Sequence, residues 1–101
     1  MENKATVNGK YLMYKDKPLV REGNTICYGD MTEKCVLILE IMSYKEENGE
    51  QVPDKIQIQL LKTDPEIPIM ERFVKNGERR GLFEAMDMAT IWLERALKDQ
   101  Q

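Results

Sequence analysis

Two runs decide the fold: Cys35-Val-Leu-Ile-Leu-Glu-Ile-Met-Ser43 and Lys55-Ile-Gln-Ile-Gln-Leu-Leu-Lys62. The first is almost wholly apolar. It reads as a strand buried on both faces, with a buried helix segment as the rival. The second settles the matter, because Ile56, Ile58 and Leu60 alternate with Gln57 and Gln59. A period of two sends the aliphatics to one face and the amides to the other. The stretch between the runs, Tyr44 to Pro53, is charged and carries Asn48-Gly49. Asn-Gly supplies the positive φ angles that a tight reversal needs. The two runs therefore read as one long antiparallel hairpin.

The first strand has two faces. Leu37, Leu39 and Ile41 point one way, and Val36, Ile38 and Met42 the other, interrupted by Glu40. One face suits a helix from the same chain. The second then needs sheet curvature, another subunit or a ligand to cover it.

At 101 residues the chain reads as one domain. A chain of this length buries roughly two-thirds of its unfolded surface and needs no disulfide or metal staple. Its 42% hydrophobic and 33% charged residues are ordinary globular composition. A net charge of -3 weighs against nucleic acid as a partner and against anionic membranes. No apolar run approaches a membrane span, and Met1 to Gly9 has no signal-peptide core, so a cytoplasmic location is expected. Cys27 and Cys35 sit in apolar strand-like runs. In a reducing compartment they read as buried free thiols, not a redox pair.

Outward from the hairpin, residues 1–9 are polar and read as disordered, and 10–63 as a meander. Tyr11–Tyr14, Pro18–Arg21 and Thr25–Tyr28 are short strands separated by turn signals at Lys15-Asp16-Lys17, Glu22-Gly23-Asn24 and Gly29-Asp30. The stretch 64–81 reads as loop, with room for one helical turn after Asp64-Pro65 and a short strand over Glu71–Lys75. From 82 to 98 the chain is helical. Leu82, Met86, Ala89, Leu93, Ala96 and Leu97 form an apolar stripe flanked by Ala85 and Trp92, while Glu84, Asp87, Glu94 and Lys98 fall opposite. The fold class is α+β: an antiparallel meander of five to six strands with one C-terminal helix on the face of Leu37, Leu39, Ile41, Ile56, Ile58 and Leu60.

The missing chemistry is informative. The chain has no histidine, which removes the commonest general base and metal ligand. Two cysteines without histidine cannot complete a four-ligand zinc site. No Gly-rich phosphate loop is present. No catalytic residue, metal or cofactor is therefore expected. Glu40 is a candidate pocket carboxyl, though a solvated or paired role is commoner for such residues. Lys75, Arg79 and Arg80 precede the helix and are a candidate anion site, against the ordinary reading of a solvated basic loop. Tyr11, Tyr14 and Tyr28 lie among Lys10, Lys15, Lys17 and Arg21. That pattern can stack single-stranded bases, or simply line amphipathic strands. The seven methionines suit either core filling or an adaptable surface.

The strings Tyr11-Leu-Met-Tyr14, Lys17-Pro-Leu-Val-Arg21 with Gly23-Asn-Thr-Ile26, and Ile91-Trp-Leu-Glu-Arg-Ala-Leu97 resemble a family of small bacterial proteins found mainly in anaerobic clostridia-like bacteria. The resemblance spans Tyr11 to Leu97. It implies a bacterial cytoplasmic protein and carries over no activity and no site residues.

The leading expectation is a non-enzymatic interaction or regulatory module, homodimeric through Val36, Ile38 and Met42. The alternatives are single-stranded nucleic-acid binding through Tyr11, Tyr14, Lys15, Lys17 and Arg21, and binding of a small anionic ligand at Lys75, Arg79 and Arg80.

Overall fold

The computed structural model describes residues 11–99. The expected disordered stretch 1–9, and Lys10, lie outside the described residues. In chain order the elements are β1 (Tyr11–Tyr14), β2 (Lys17–Glu22), β3 (Thr25–Tyr28), β4 (Cys35–Ile41), β5 (Tyr44–Glu47), β6 (Glu50–Pro53), β7 (Lys55–Lys62), α1 (Ile69–Arg72), β8 (Phe73–Arg80) and α2 (Leu82–Asp99). Six strands form one antiparallel sheet in the order β1-β2-β3-β4-β7-β8, and β5 and β6 pair as a separate ribbon. The class is α+β, with the long C-terminal helix packed on the large sheet.

The register of β4 against β7 builds the core. Leu37 pairs with Leu60, Leu39 with Ile58 and Ile41 with Ile56. All six side chains are buried together with Ile26 and Tyr28 of β3 and Ala85, Met86, Ala89 and Leu93 of α2. Ala85 and Ala89 are small, so the helix lies close to the strands. Thr90 is the buried polar residue of the helix, and its hydroxyl donates to the Asp87 carbonyl at 2.9 Å. Tyr28 closes the β1–β3 end of this core. Its hydroxyl donates to the Tyr14 carbonyl at 2.9 Å, and its ring meets Tyr14 edge-on at 5.9 Å.

Tight turns set the meander. Lys15 and Asp16 both take positive φ between the paired residues Tyr14 and Lys17. Asn48 and Gly49 do the same between Glu47 and Glu50, the pattern of a twist-matched two-residue hairpin turn. Beyond β4 the hairpin does not stop. Met42 donates to the Lys55 carbonyl and Asp54 to the Ser43 carbonyl, and the ribbon of β5 and β6 prolongs it as an exposed, charged finger.

The stretch 64–81 needs correction. A single helical turn does form, but after Pro68 and not after Pro65. It leads into an eight-residue strand, β8, and not into a loop with a short strand over Glu71–Lys75. Phe-Val-Lys-Asn-Gly-Glu-Arg-Arg shows no apolar alternation because β8 is a sheet edge, mostly exposed. Its inward face is met by one large side chain. A Cβ at Gly77 would lie 2.9 Å from Cη2 of Trp92, so the indole lies directly on the strand backbone. Lys75 completes the stack, its Nζ 4.8 Å from the ring centroid. Gly81, with φ +90°, then turns the chain from strand to helix in one residue. Its amide donates to Asp54 O and its carbonyl accepts from Ala85 N.

This packing can be checked at two positions. Gly77→Ala should push Trp92 off β8 and lower stability by about 1–3 kcal/mol in urea denaturation, with a shift of the single tryptophan's emission. An unchanged midpoint and spectrum would refute the contact. For Tyr28, burial above all, with smaller contributions from Tyr14, Glu94 and Asp16, raises the phenol above its ordinary value. The unfolded chain then ionises first. Stability is full below about pH 10 and falls as pH rises through the folded-state value. Tyr28→Phe should flatten that alkaline loss, at the cost of about 1 kcal/mol at neutral pH for the lost hydrogen bond.

Candidate interaction surface

The helix covers the front of the sheet. Among the described residues no element lies across the back. The molecule measures 45 × 34 × 22 Å, and 22 Å of thickness holds one sheet and one helix layer only.

Strand pairing orders the back face into rows. Met13 pairs with Pro18, the Pro18 carbonyl accepts from the Gly29 amide, and Gly29 lies against Val36. Val36 pairs with Leu61 and Leu61 with Phe73. An uncharged row therefore crosses all six strands, from Met13 to Phe73. The next row is Val20, Cys27, Ile38, Gln59 and Asn76. It begins apolar and ends in amides. The third row is Glu22, Thr25, Glu40, Gln57 and Glu78, which is acidic. The face thus grades from apolar at one end of the strands to charged at the other.

The loops at the apolar end add to it. Of the eleven exposed large hydrophobics among the described residues, six sit there: Met13, Met31, Ile69, Met70, Phe73 and Val74. Both loops are braced. Asp30 Oδ1 accepts from the Thr32 amide at 2.9 Å and the Thr32 hydroxyl at 2.7 Å, which holds its carboxyl below the usual carboxylate range. Lys17 pairs with Glu33 at 3.0 Å. Met31, 63% exposed, is carried on this braced loop. On the other loop, Arg72 donates to the carbonyls of Ile67 and Pro65 and pins the turn that presents Ile69 and Met70. A shallow depression of ≈ 420 Å³ lies between Pro18, Val20, Cys27, Gly29, Asp30 and Met31.

The candidate interface residues are split by this geometry. Val36 is only 3% exposed and Ile38 half-buried, whereas Met42 is 56% exposed at the opposite, charged end beside Lys55. Val36 is a floor of the apolar row and Met42 lies outside it. The residues that sequence reasoning missed are Met13, Pro18, Met31, Leu61 and Phe73. Each belongs to a different element, so no local pattern groups them.

The other candidates disperse. Lys75 is stacked on Trp92. Arg79 donates to the Glu78 carbonyl and approaches the Met88 sulfur, and Arg80 pairs with Asp54 at 3.1 Å. Lys75 and Arg79 share the helix side of β8 with Gly77, and Arg80 lies on the other. No anion cradle results. Of the nucleic-acid candidates, Tyr14 packs on Tyr28 with Lys15 5.7 Å from its ring centroid, Lys17 is paired with Glu33, and Arg21 donates to the Gly23 carbonyl and the Tyr44 hydroxyl. Tyr11 pairs with Val20, and its side chain lies outside the described residues. Glu40 accepts from the Thr25 hydroxyl at 3.1 Å, a satisfied role in the acidic row. Among the described residues no group of three or more His, Cys, Asp or Glu is placed to hold a metal. No helix among them is long and apolar enough to cross a membrane.

Cys27 and Cys35 are free and lie on opposite faces, Cys27 half-buried at the back and Cys35 in the core. Burial raises both thiols above their ordinary value, for Cys35 against the pull of Lys62 and Lys34. Both are kept from the reactive thiolate form.

The fold defines a two-layer α+β domain whose long helix covers one sheet face and in which, among the described residues, no element lies across the other. Comparison with protein-family models, curated proteins and solved structures finds no match to this chain.

A thiol titration checks the two-faced sheet. In dilute native protein one thiol should react slowly, and the second only after denaturation. Equal reactivity of both before unfolding would contradict the placement of Cys35.

Proposed function

We propose that this chain is a non-enzymatic protein-interaction module that acts as a homodimer, closing the apolar end of its back face against a second copy. The observation that carries this reading is the uncharged row from Met13 to Phe73, in which Gly29 and Val36 form a buried floor, Pro18 and Leu61 are half-buried and Met13 and Phe73 are exposed, flanked by exposed methionines on braced loops. Contiguous apolar surface of this kind usually marks an interface. A second copy suits it on two counts. The row offers no charge for a charged partner to meet, so its complement must itself be apolar and of similar width, which this same surface is. The area also suffices for a modest dimer. Six strands span ~29 Å, and two rows with their flanking loops ~20 Å, giving about 1,100 Å² over both copies. That is the low end of specific interfaces and corresponds to a weak dimer, with a Kd on the order of micromolar.

Light scattering over a dilution series from about 1 to 500 µM tests this directly. The wild-type chain should pass from monomer to dimer. The Met13→Glu, Met31→Glu double variant alters only exposed positions, so it should keep its fold and stay monomeric throughout. A wild-type monomer at the highest concentration, or a double variant that associates as the wild type does, would sink the reading.

A further inference from the structure

Resting on that dimer reading, we propose that Met13 and Met31 are an oxidation site: a hydroperoxide converts both thioethers to sulfoxides, and the dimer returns to monomer. Directly opposed residues on neighbouring strands share a face, so Met13 lies beside Pro18 on the back of the sheet. Met31 lines the depression that Pro18 and Gly29 also line. The two methionines therefore flank one point of the apolar row, carried on different elements. In the single chain Met13 is 57% and Met31 63% exposed, so an oxidant reaches both. Met86 is 8% exposed in the core, and Met88 is half-buried with Arg79 against its sulfur. Met42 is as open as Met13 but stands at the charged end beside Lys55.

The step balances with a hydroperoxide alone. The thioether sulfur takes the terminal oxygen: an S–O bond forms as the O–O bond breaks, and the proton of that oxygen passes to the departing one. Sulfur loses two electrons, and the hydroperoxide is reduced to the alcohol, or hydrogen peroxide to water. A flexible apolar side chain thereby becomes a strong acceptor with no donor of its own. Across the apolar row a second copy offers Gly29, Val36, Leu61 and Phe73, none with a side-chain donor. The polar groups nearby give no help. Lys17 pairs with Glu33, the Thr32 hydroxyl donates to Asp30, and Asp30, which lines the same depression, is itself an acceptor. A sulfoxide oxygen enclosed there loses water and gains no partner, and burying such a group unpaired is costly. In the monomer the same oxygen stays hydrated. Oxidation thus penalises the dimer and leaves the fold, whose core sulfur is out of reach, as it was.

The test treats the wild-type chain with hydrogen peroxide as dilute monomer, removes the oxidant and returns the protein to the dilution series. A Met13→Leu, Met31→Leu variant is treated the same way. Leucine keeps both positions apolar and carries no sulfur, while Cys27, Met42, Met70 and every other oxidisable group are common to the two proteins. Before peroxide both should dimerise alike. After it, the wild-type Kd should rise by about a hundredfold and the variant's should stay within about twofold. The two methionine sulfoxide reductases, one for each epimer, should restore the wild-type dimer. A second measurement uses the wild type alone. Peptide mapping by mass should show Met13 and Met31 oxidising at least about fivefold more slowly at about 300 µM than at about 1 µM, with the rate at Met42 unchanged. An oxidised wild type that dimerises as before, an oxidised variant that dissociates with it, or equal protection of Met42 would overturn the oxidation site while leaving the dimer standing. Should the leucines themselves weaken association, the protection pattern decides. A chain that is monomeric before any peroxide ends the parent reading and this one together.

Discussion

The pairing phase of β4 against β7 is the constraint on which the rest depends. Side chains alternate along a strand, so sliding one strand by a single residue would exchange its faces. On β7 such a slip would turn Gln57 and Gln59 toward the helix and Ile56, Ile58 and Leu60 toward water. The penalty is large, because three aliphatic residues would leave a core in which Ile56 and Ile58 are fully buried. At about 1.5–3 kcal/mol for each buried aliphatic side chain, that alone approaches a small domain's net stability. The phase also decides where α2 lies. Its Ala85, Ala89 and Leu93 stripe has one apolar surface to settle on, and the same phase leaves the glutamines and Glu40 behind.

A single helix can serve one side of a sheet only. The back face must then satisfy two demands that conflict. Near the hairpin finger it has to stay wet, and it is built from Glu22, Glu40, Gln57 and Glu78. Near the loops it is apolar, because β4 is aliphatic on both faces and its neighbours Pro18, Val20, Cys27 and Leu61 match it. Gly29 marks the change in character. A Cβ there would press on Val36 and on Leu93, so the β3 end can close over Val36 only without a side chain.

How much of this was legible in the sequence depends on how local each signal is. The hairpin, the helix stripe and the covered face could be read because each repeats within one segment: Ile56, Ile58 and Leu60 at a period of two, Leu82, Met86, Ala89 and Leu93 at helical spacing. Strand β8 could not be read so. Its inward position is filled by Gly77 under Trp92, which is fifteen positions away in sequence, and its other residues face water. The apolar row is harder still, since Met13, Pro18, Leu61 and Phe73 align only through five strand-to-strand links and an irregularity between Leu60 and Leu61. The Tyr and Lys cluster shows the opposite case. It is close in sequence, but Tyr14 and Lys17 are spent on internal contacts with Tyr28 and Glu33.

Edge pairing is the usual rival to face packing when sheets associate, and β8 argues against it here. An added strand would need a flat edge with free room on both sides. On one side of β8 the indole of Trp92 lies on the backbone with Lys75 stacked over it. The other carries Asn76, Glu78 and Arg80, the last already paired with Asp54. The register shift at Leu60/Leu61 also bends this strand near its start, and such irregularities increase local twist and spoil pairing. Charge, an occupied face and a bend are the devices that keep exposed strands from templating another chain. Among the described residues no comparable guard stands on the apolar row of the back face, where the exposed side chains are Met13 and Phe73 and the nearest carboxylate on a strand is two rows away. At the β8 edge, then, the described residues oppose the open-ended association that an exposed strand invites.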